Sequence, residues 1–380
     1  MPAHVKQKTL FWINASACAG LLVLAGASAS AQTKSPGSPA SSSKPAAKAK
    51  STTAKTAAPA KAPAAKAPVA KATSRPPAYS AARAETRKAK LARARAVSTA
   101  REMADTILPR YKVDASGDLV PDVRAAAAII YNPDTNEVLW EANSQSQRSI
   151  ASITKVMTAT VFLENNPDPS QPAIVTRGDV FQASTTHLRA NDKVTTDDLL
   201  HLLLIASDNA AARALARISP YGSEGFVRRM NEKAAELGLE STSYADPSGL
   251  LSDNVSSAYA MARLITHASA DERISSVMRT PEYTVRTANR RVITFHSTNH
   301  LLGRPDVDVR AGKTGFISKA GYCLATLLRL PEGGQQVAVV VLGARSNAGR
   351  FMETQNLFAW LTTKAPTIFG PKPPLPQPQE

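Results

Sequence analysis

The order in which strand and helix patterns occur over residues 113–365 constrains this chain more than any other feature. Ala125 to Tyr131 is a short apolar run, Asn132-Pro133-Asp134-Thr135-Asn136 reads as a turn, and Glu137 to Glu141 continues as a second strand. Strand patterns then vanish until Val307 to Thr314, Tyr322 to Arg329 and Gln336 to Gly343. Helical patterns fill the interval. Thr196 with Asp197 and Asp198 opens a helix carrying Leu199, Leu200, Leu202, Leu203 and Leu204. Ser223 opens another, with Phe226, Met230, Ala234 and Leu237 on one face and Gly238 at its end. Ser346 caps a last helix that turns Phe351, Phe358 and Leu361 inward. Strands at both ends can share one sheet only if the chain returns to where it began. The expected class is therefore α/β (α+β): an antiparallel sheet flanked by helices, with an all-helical lobe inserted.

Composition separates this stretch from what surrounds it. Lys6 and Lys8 precede the apolar run from Leu10 to Ala27, which ends in Ala29-Ser30-Ala31. That pattern predicts a secretory signal peptide over 1–31, cleaved after Ala31, and an exported, periplasmic chain that faces the cell wall. Cys18 falls inside the leader, so Cys323 alone remains in the mature chain, where no internal disulfide can form; it is expected as a buried strand residue. Residues 32–112 hold 18 basic and 3 acidic side chains, in repeats such as Ala60-Lys61-Ala62-Pro63. With little apolar bulk to bury, this segment is expected to be a disordered basic tail, able to form a basic helix between Ala81 and Met103 on a suitable surface. From 113 onward, 26 basic side chains face 27 acidic ones, so nearly all of the net +16 comes from the +15 of the tail. The tail is expected to be a plain spacer first, and an anchor to anionic wall polymers or a membrane surface second. Nucleic acid is disfavoured because export removes the chain from it. Residues 366–380 are expected as a proline-rich tail.

Three short motifs carry the chemistry. In Ser152-Ile153-Thr154-Lys155, at the start of a helical run, hydroxyl and amine lie on one face one turn apart, which makes a nucleophile with a built-in base. Ser207-Asp208-Asn209 follows between two helices, and Lys313-Thr314-Gly315 at the end of a strand. His187 and His201 are weaker nucleophile partners for a serine, since neither has a supporting acid at recognisable spacing.

In this order the motifs resemble the penicillin-recognising serine enzymes, whose signature is S-x-x-K, S-x-N and K-T-G. The resemblance spans about residues 115–365. The strings Ile150 to Ala159, Ala206 to Ala211, Asp246-Pro247-Ser248-Gly249-Leu250 and Lys313 to Leu324 are similar to the low-molecular-mass D-alanyl-D-alanine peptidases. Among these the chain most resembles penicillin-binding proteins 7 and 8, the endopeptidase type without an appended β-domain. Ala260 departs from relatives that carry Asp there, a position expected to be structural. The resemblance implies a DD-peptidase/β-lactamase-like fold over 113–365. It also implies a serine-type D-Ala-D-Ala carboxypeptidase/DD-endopeptidase acting on peptidoglycan through an acyl-enzyme, acylated by β-lactam antibiotics, with no metal or cofactor. Ser152 is then the nucleophile and Lys155 its base, neutral through burial and the nearby charge of Lys313. Ser207 relays the proton to the departing amine, and Asn209 holds Lys155 and grips the substrate amide. Lys313 and Thr314 pair with a substrate carboxylate, and Gly315 leads to Phe316, whose backbone N–H joins that of Ser152 in an oxyanion hole. The alternatives are a β-lactamase, disfavoured because no E-x-x-L-N string follows Ser207, and a non-catalytic wall-binding or penicillin-sensing protein.

Overall fold

The computed structural model describes residues 88–97, 100, 104, 107–331 and 334–370; the leader, most of the basic tail and the last ten residues lie outside the described residues. Residues 88–97 form an exposed helix, α1, so part of the tail expected to be disordered is helical, as its Ala, Arg and Lys content favours. β1 (Tyr111–Val113) pairs with β2 (Leu119–Pro121), which carries ordered pairing two residues into that tail. Then follow β3 (Ala127–Asn132), β4 (Glu137–Ala142), β5 (Arg148–Ser149), a 3-10 turn (Ala151–Ile153) and α2 (Thr154–Leu163). β6 (Pro172–Ile174), α3 (Arg177–Val180), β7 (Lys193–Thr195), α4 (Thr196–Leu204), α5 (Asn209–Ile218), α6 (Gly222–Glu236) and β8 (Val255–Ser256) come next. The chain closes with α7 (Ala258–Ser269), α8 (Glu272–Met278), β9 (Glu282–Arg286), β10 (Val292–His296), β11 (Asp308–Ile317), β12 (Gly321–Arg329), β13 (Gln336–Ala344) and α9 (Asn347–Phe369).

The expected sheet is present. Five antiparallel strands lie in the order β11-β12-β13-β3-β4, so strands from both ends of the domain meet where β13 pairs with β3. Side chains alternate across it with period two. Ile129, Tyr131, Val340 and Leu342 enter a core shared with the helical lobe, whereas Ile130, Val339 and Val341 face the other way, against Phe351, Leu357, Phe358 and Leu361 of α9. Both faces are covered, which explains why β12 and β13 read as continuous apolar runs.

Several boundaries differ from the sequence expectation for local reasons. The cap of α4 is Thr195, whose hydroxyl accepts from Asp198 N while the Asp198 carboxylate accepts from Thr195 N. No side chain caps α6, and Ser223 sits inside its first turn. β11 runs on to Ile317 because the ladder with β12 continues through Phe316–Tyr322 and Ile317–Gly321, so Lys313-Thr314-Gly315 lies within the strand rather than at its end. Helix α9 continues through Pro366 to Phe369, past the expected boundary, with Trp360 and Lys364 bonded to the β2 hairpin. Ser346 caps α9 as expected, accepting from Gly349 N, and Cys323 is a buried free thiol.

Candidate active site

Ser152 lies in the 3-10 turn that leads into α2, preceded by Ala151 in the left-handed region at φ +50°. A non-glycine residue held there costs about 1 kcal/mol, which surrounding contacts must offset. Lys155 follows one turn later, and its Nζ donates to Ser152 Oγ at 3.0 Å. The same Nζ donates to Asn209 Oδ1 at 2.7 Å and to the Ser248 carbonyl at 2.5 Å. Lys155 has no exposed surface. Burial drops its ammonium to about 7, against the pull of Asp246 and Asp208, which raise it, and with a smaller push from Arg213, which lowers it. A lysine poised near neutrality can accept a proton from the adjacent serine.

Ser207 joins α4 to α5, also in the left-handed region, at φ +59°. The Asp208 carboxylate beside it caps α5 through Ala211 N and accepts from Thr186 Oγ1 and His187 N. Lys313 Nζ donates to Ser207 Oγ at 2.8 Å and to the Thr314 carbonyl at 2.9 Å. This buried amine is held well below the usual lysine range by desolvation, then by the charges of Lys155 and Arg350. The help that Lys313 was expected to give Lys155 is therefore corrected: burial lowers Lys155, and the mutual repulsion falls on Lys313. Two donors of Lys313 are used inside the protein, and Thr314 rather than the lysine lines the cleft; the Thr314 hydroxyl shares a 2.6 Å hydrogen bond with Thr298.

Gly315 allows β11 to pack on the turn that carries Ser152. A Cβ there would lie 2.7 Å from the Ile150 carbonyl and 3.1 Å from Ser152 N. Next to it, Phe316 is half exposed and stacks on Tyr322 with ring centroids 4.2 Å apart. Ser152, Ser207, Asn209, Thr314 and Gly315 thus line one cleft of about 570 Å³, with Lys155 and Lys313 beneath it. The third acceptor of Lys155, the Ser248 carbonyl, was not anticipated, although the string around it was noted. Nor was Arg350, which donates to the Gly315 and Cys323 carbonyls from the first turn of α9 and lines the same cleft. No local pattern announces an arginine that becomes part of a site through strand packing. The histidines do lie near acids, His187 beside Asp208 and His201 beside Asp197. Their rings contact Phe295 and Tyr283.

A serine within reach of a buried amine, on a helix packed against the edge strand of an antiparallel sheet, defines a Ser-Lys acyl-transferring hydrolase. Comparison narrows the class: the model of the D-alanyl-D-alanine carboxypeptidase family, peptidase family S11, matches residues 114–346, and the chain belongs to that family of serine DD-peptidases. A D-alanyl-D-alanine endopeptidase of Pseudomonas aeruginosa is 33% identical over 248 residues, covering 64% of this chain and 79% of that one. The crystal structure of a Streptomyces DD-transpeptidase superposes with a TM-score of 0.59 at 27% identity, covering 63% of this chain and 97% of the other. A cefotaxime-bound penicillin-binding protein D2 from Listeria monocytogenes gives 0.55 at 29% identity, with 63% and 97% covered.

Proposed function

We propose that this chain is an exported, wall-facing DD-peptidase that opens D-alanyl cross-links of peptidoglycan, with trimming of terminal D-alanine as a second activity. The observation that carries the residue assignment is the buried Lys155 amine, bonded at once to Ser152, Asn209 and the Ser248 carbonyl. In this reading Ser152 Oγ attacks the D-alanyl carbonyl and its proton passes to neutral Lys155. The backbone N–H groups of Ser152 and Phe316 hold the oxyanion. Collapse breaks the C–N bond, and the departing amine takes a proton through Ser207, which Lys313 supports at 2.8 Å. Water then releases the acyl group. Thr314 and Arg350 face the substrate carboxylate, and Asn209 keeps one amide hydrogen for the substrate, since the other serves the Ala183 carbonyl. The leader pattern supports export, and the basic tail suits anionic wall polymers or a membrane surface.

A β-lactamase is the lesser reading. The class A type needs a carboxylate free to activate water, whereas Asp208 and Asp246, the acids that act on Lys155, are engaged by backbone and side-chain donors of their own loops. Benzylpenicillin should form a long-lived adduct at Ser152, followed by intact mass against time. Release within seconds would favour the β-lactamase, and labelling that persists in Ser152→Ala would sink the nucleophile assignment. Digestion of dimeric muropeptide beside monomeric pentapeptide tests the substrate preference: loss of terminal D-alanine with the dimer untouched overturns the endopeptidase reading.

A further inference from the structure

The loop from Asp246 to Asn254 is more tightly built than a connection between α6 and α7 requires. One carboxylate organises it. Asp246 Oδ1 accepts from Ser248 N at 2.7 Å, Ser248 Oγ at 2.5 Å and Gly249 N at 2.9 Å, while Oδ2 accepts from Leu251 N at 2.8 Å and Asn254 Nδ2 at 2.7 Å. Burial opposes its charge, but these donors hold the Asp246 carboxyl below its usual range, so it is ionised at neutral pH.

The loop is pressed onto the catalytic turn from two sides. The Asn254 carbonyl accepts from Ile150 N at 3.1 Å, and the Pro247 carbonyl accepts from Thr158 Oγ1 on α2 at 2.6 Å. Gly249, at φ +76°, lies so close that a Cβ would be 2.1 Å from the Ala151 carbonyl. Between these contacts the Ser248 carbonyl meets Lys155 Nζ. The loop therefore braces the strained Ala151, aims an acceptor at Lys155 and sets a negative charge behind that acceptor. The other charged groups acting on Lys155 are Asp208 at the cap of α5 and Arg213 on α5, while the repulsion with Lys313 on β11 falls on Lys313.

We propose that Asp246 is a positioning residue of this site: it holds the Ser248 carbonyl on Lys155 and supplies the counter-charge against which the protonation of that base is set. This rests on Ser152 and Lys155 being nucleophile and base. Asp246 donates and accepts no proton in the reaction. Its carboxylate biases Lys155 towards the ammonium, so removing the charge should let the amine become neutral at lower pH.

The test is the pH dependence of Ser152 acylation by benzylpenicillin in the full chain, from pH 5 to 9, followed by intact mass. In Asp246→Asn the acid limb should move down by about one pH unit, the size expected when a nearby opposite charge is removed. Asp246→Ser, whose hydroxyl keeps an acceptor for the turn, is a second charge-free variant should the amide disturb the loop. Asn254→Ala loosens the same loop while leaving the carboxylate, and should slow acylation with its limb unmoved. A limb that stays put or rises in a charge-free variant with an unchanged melting temperature overturns the proposal. So does an equal downward shift in Asn254→Ala. Absence of any Ser152 adduct in the wild type would instead defeat the assignment of the nucleophile, which distinguishes the two failures.

Discussion

The two ends of helix α2 treat a lysine in opposite ways. At its start, Lys155 is fully buried and meets a hydroxyl, an amide and a carbonyl but no carboxylate, and its ammonium falls to about 7. At its end, Glu164 forms ion pairs with Arg229 and with Lys233, which also reaches Glu236. Burial works against the Lys233 charge too, yet the two glutamates outweigh it and raise its pKa. The difference is one of depth and of partners together: Lys155 is fully buried, whereas Lys233 keeps some solvent contact and meets two carboxylates. A lysine given carboxylates stays a cation and ties helices together, whereas one buried among neutral acceptors becomes a base. The first arrangement serves stability, and the second gives some of it up for reactivity.

Exchanging each lysine for an isosteric apolar residue probes this contrast most strongly. Lys155→Met should slow benzylpenicillin acylation by about 10²–10⁴-fold, the span of a lost general base. Lys233→Met should leave acylation unchanged. A Lys155→Met protein that still acylates within tenfold of wild type would break the comparison at its root.

The wild-type rate sharpens it next. With Lys155 as the proposed base, only its neutral form can take the Ser152 proton, so acylation should rise with pH and level off above about 7. Well below that value the rate should fall about tenfold per pH unit. Measuring the second-order acylation rate across pH 5–9 in wild type and Lys233→Met should give the same limb in both, because Lys233 stays charged throughout.

Gly315→Ala tests how closely the reactive end is packed. The added Cβ, 2.7 Å from the Ile150 carbonyl, must push β11 away from the nucleophile. The expected cost is about 1–3 kcal/mol of stability, with slower acylation, read by denaturant unfolding and adduct mass. Unchanged stability and rate would show that the strand has slack.

The smallest effect belongs to the ion-paired end. Glu164→Gln should cost about 1 kcal/mol or less, since its partners keep some solvent contact. Burial raises the Glu164 pKa, but hydrogen bonds from Arg229 and Lys233 outweigh it and the net shift is downward. A carboxylate whose pKa falls on folding contributes its stability above the unfolded value and loses it as pH drops through the folded one. The melting-temperature gap between wild type and variant should therefore be full at pH 7 and close on acidification below the ordinary glutamate range. A gap that persists at low pH would assign the effect to packing.

What the sequence alone determined is what local spacing can carry. Lys155 lies three positions after Ser152, and a helical turn then brings hydroxyl and amine to 3.0 Å. The apolar runs of β3 and β13 and the apolar faces of α6 and α9 pointed to a sheet flanked by helices, and the motif strings pointed to the family. Cap positions slipped by a residue because Thr195 and Thr196 offer the same hydroxyl and only backbone geometry chooses between them. Tertiary structure decided the rest. The Ser248 carbonyl reaches Lys155 across 93 residues of chain, and a backbone oxygen leaves no mark in side-chain identity. Arg350 enters the cleft because α9 packs against β13 and β12 and its first turn reaches the Gly315 and Cys323 carbonyls, and Lys313 turns to Ser207 because the sheet edge faces the helical lobe. The protonation of Lys155 belongs to that same order of facts: desolvation depends on everything packed around the amine, which no stretch of neighbouring residues specifies.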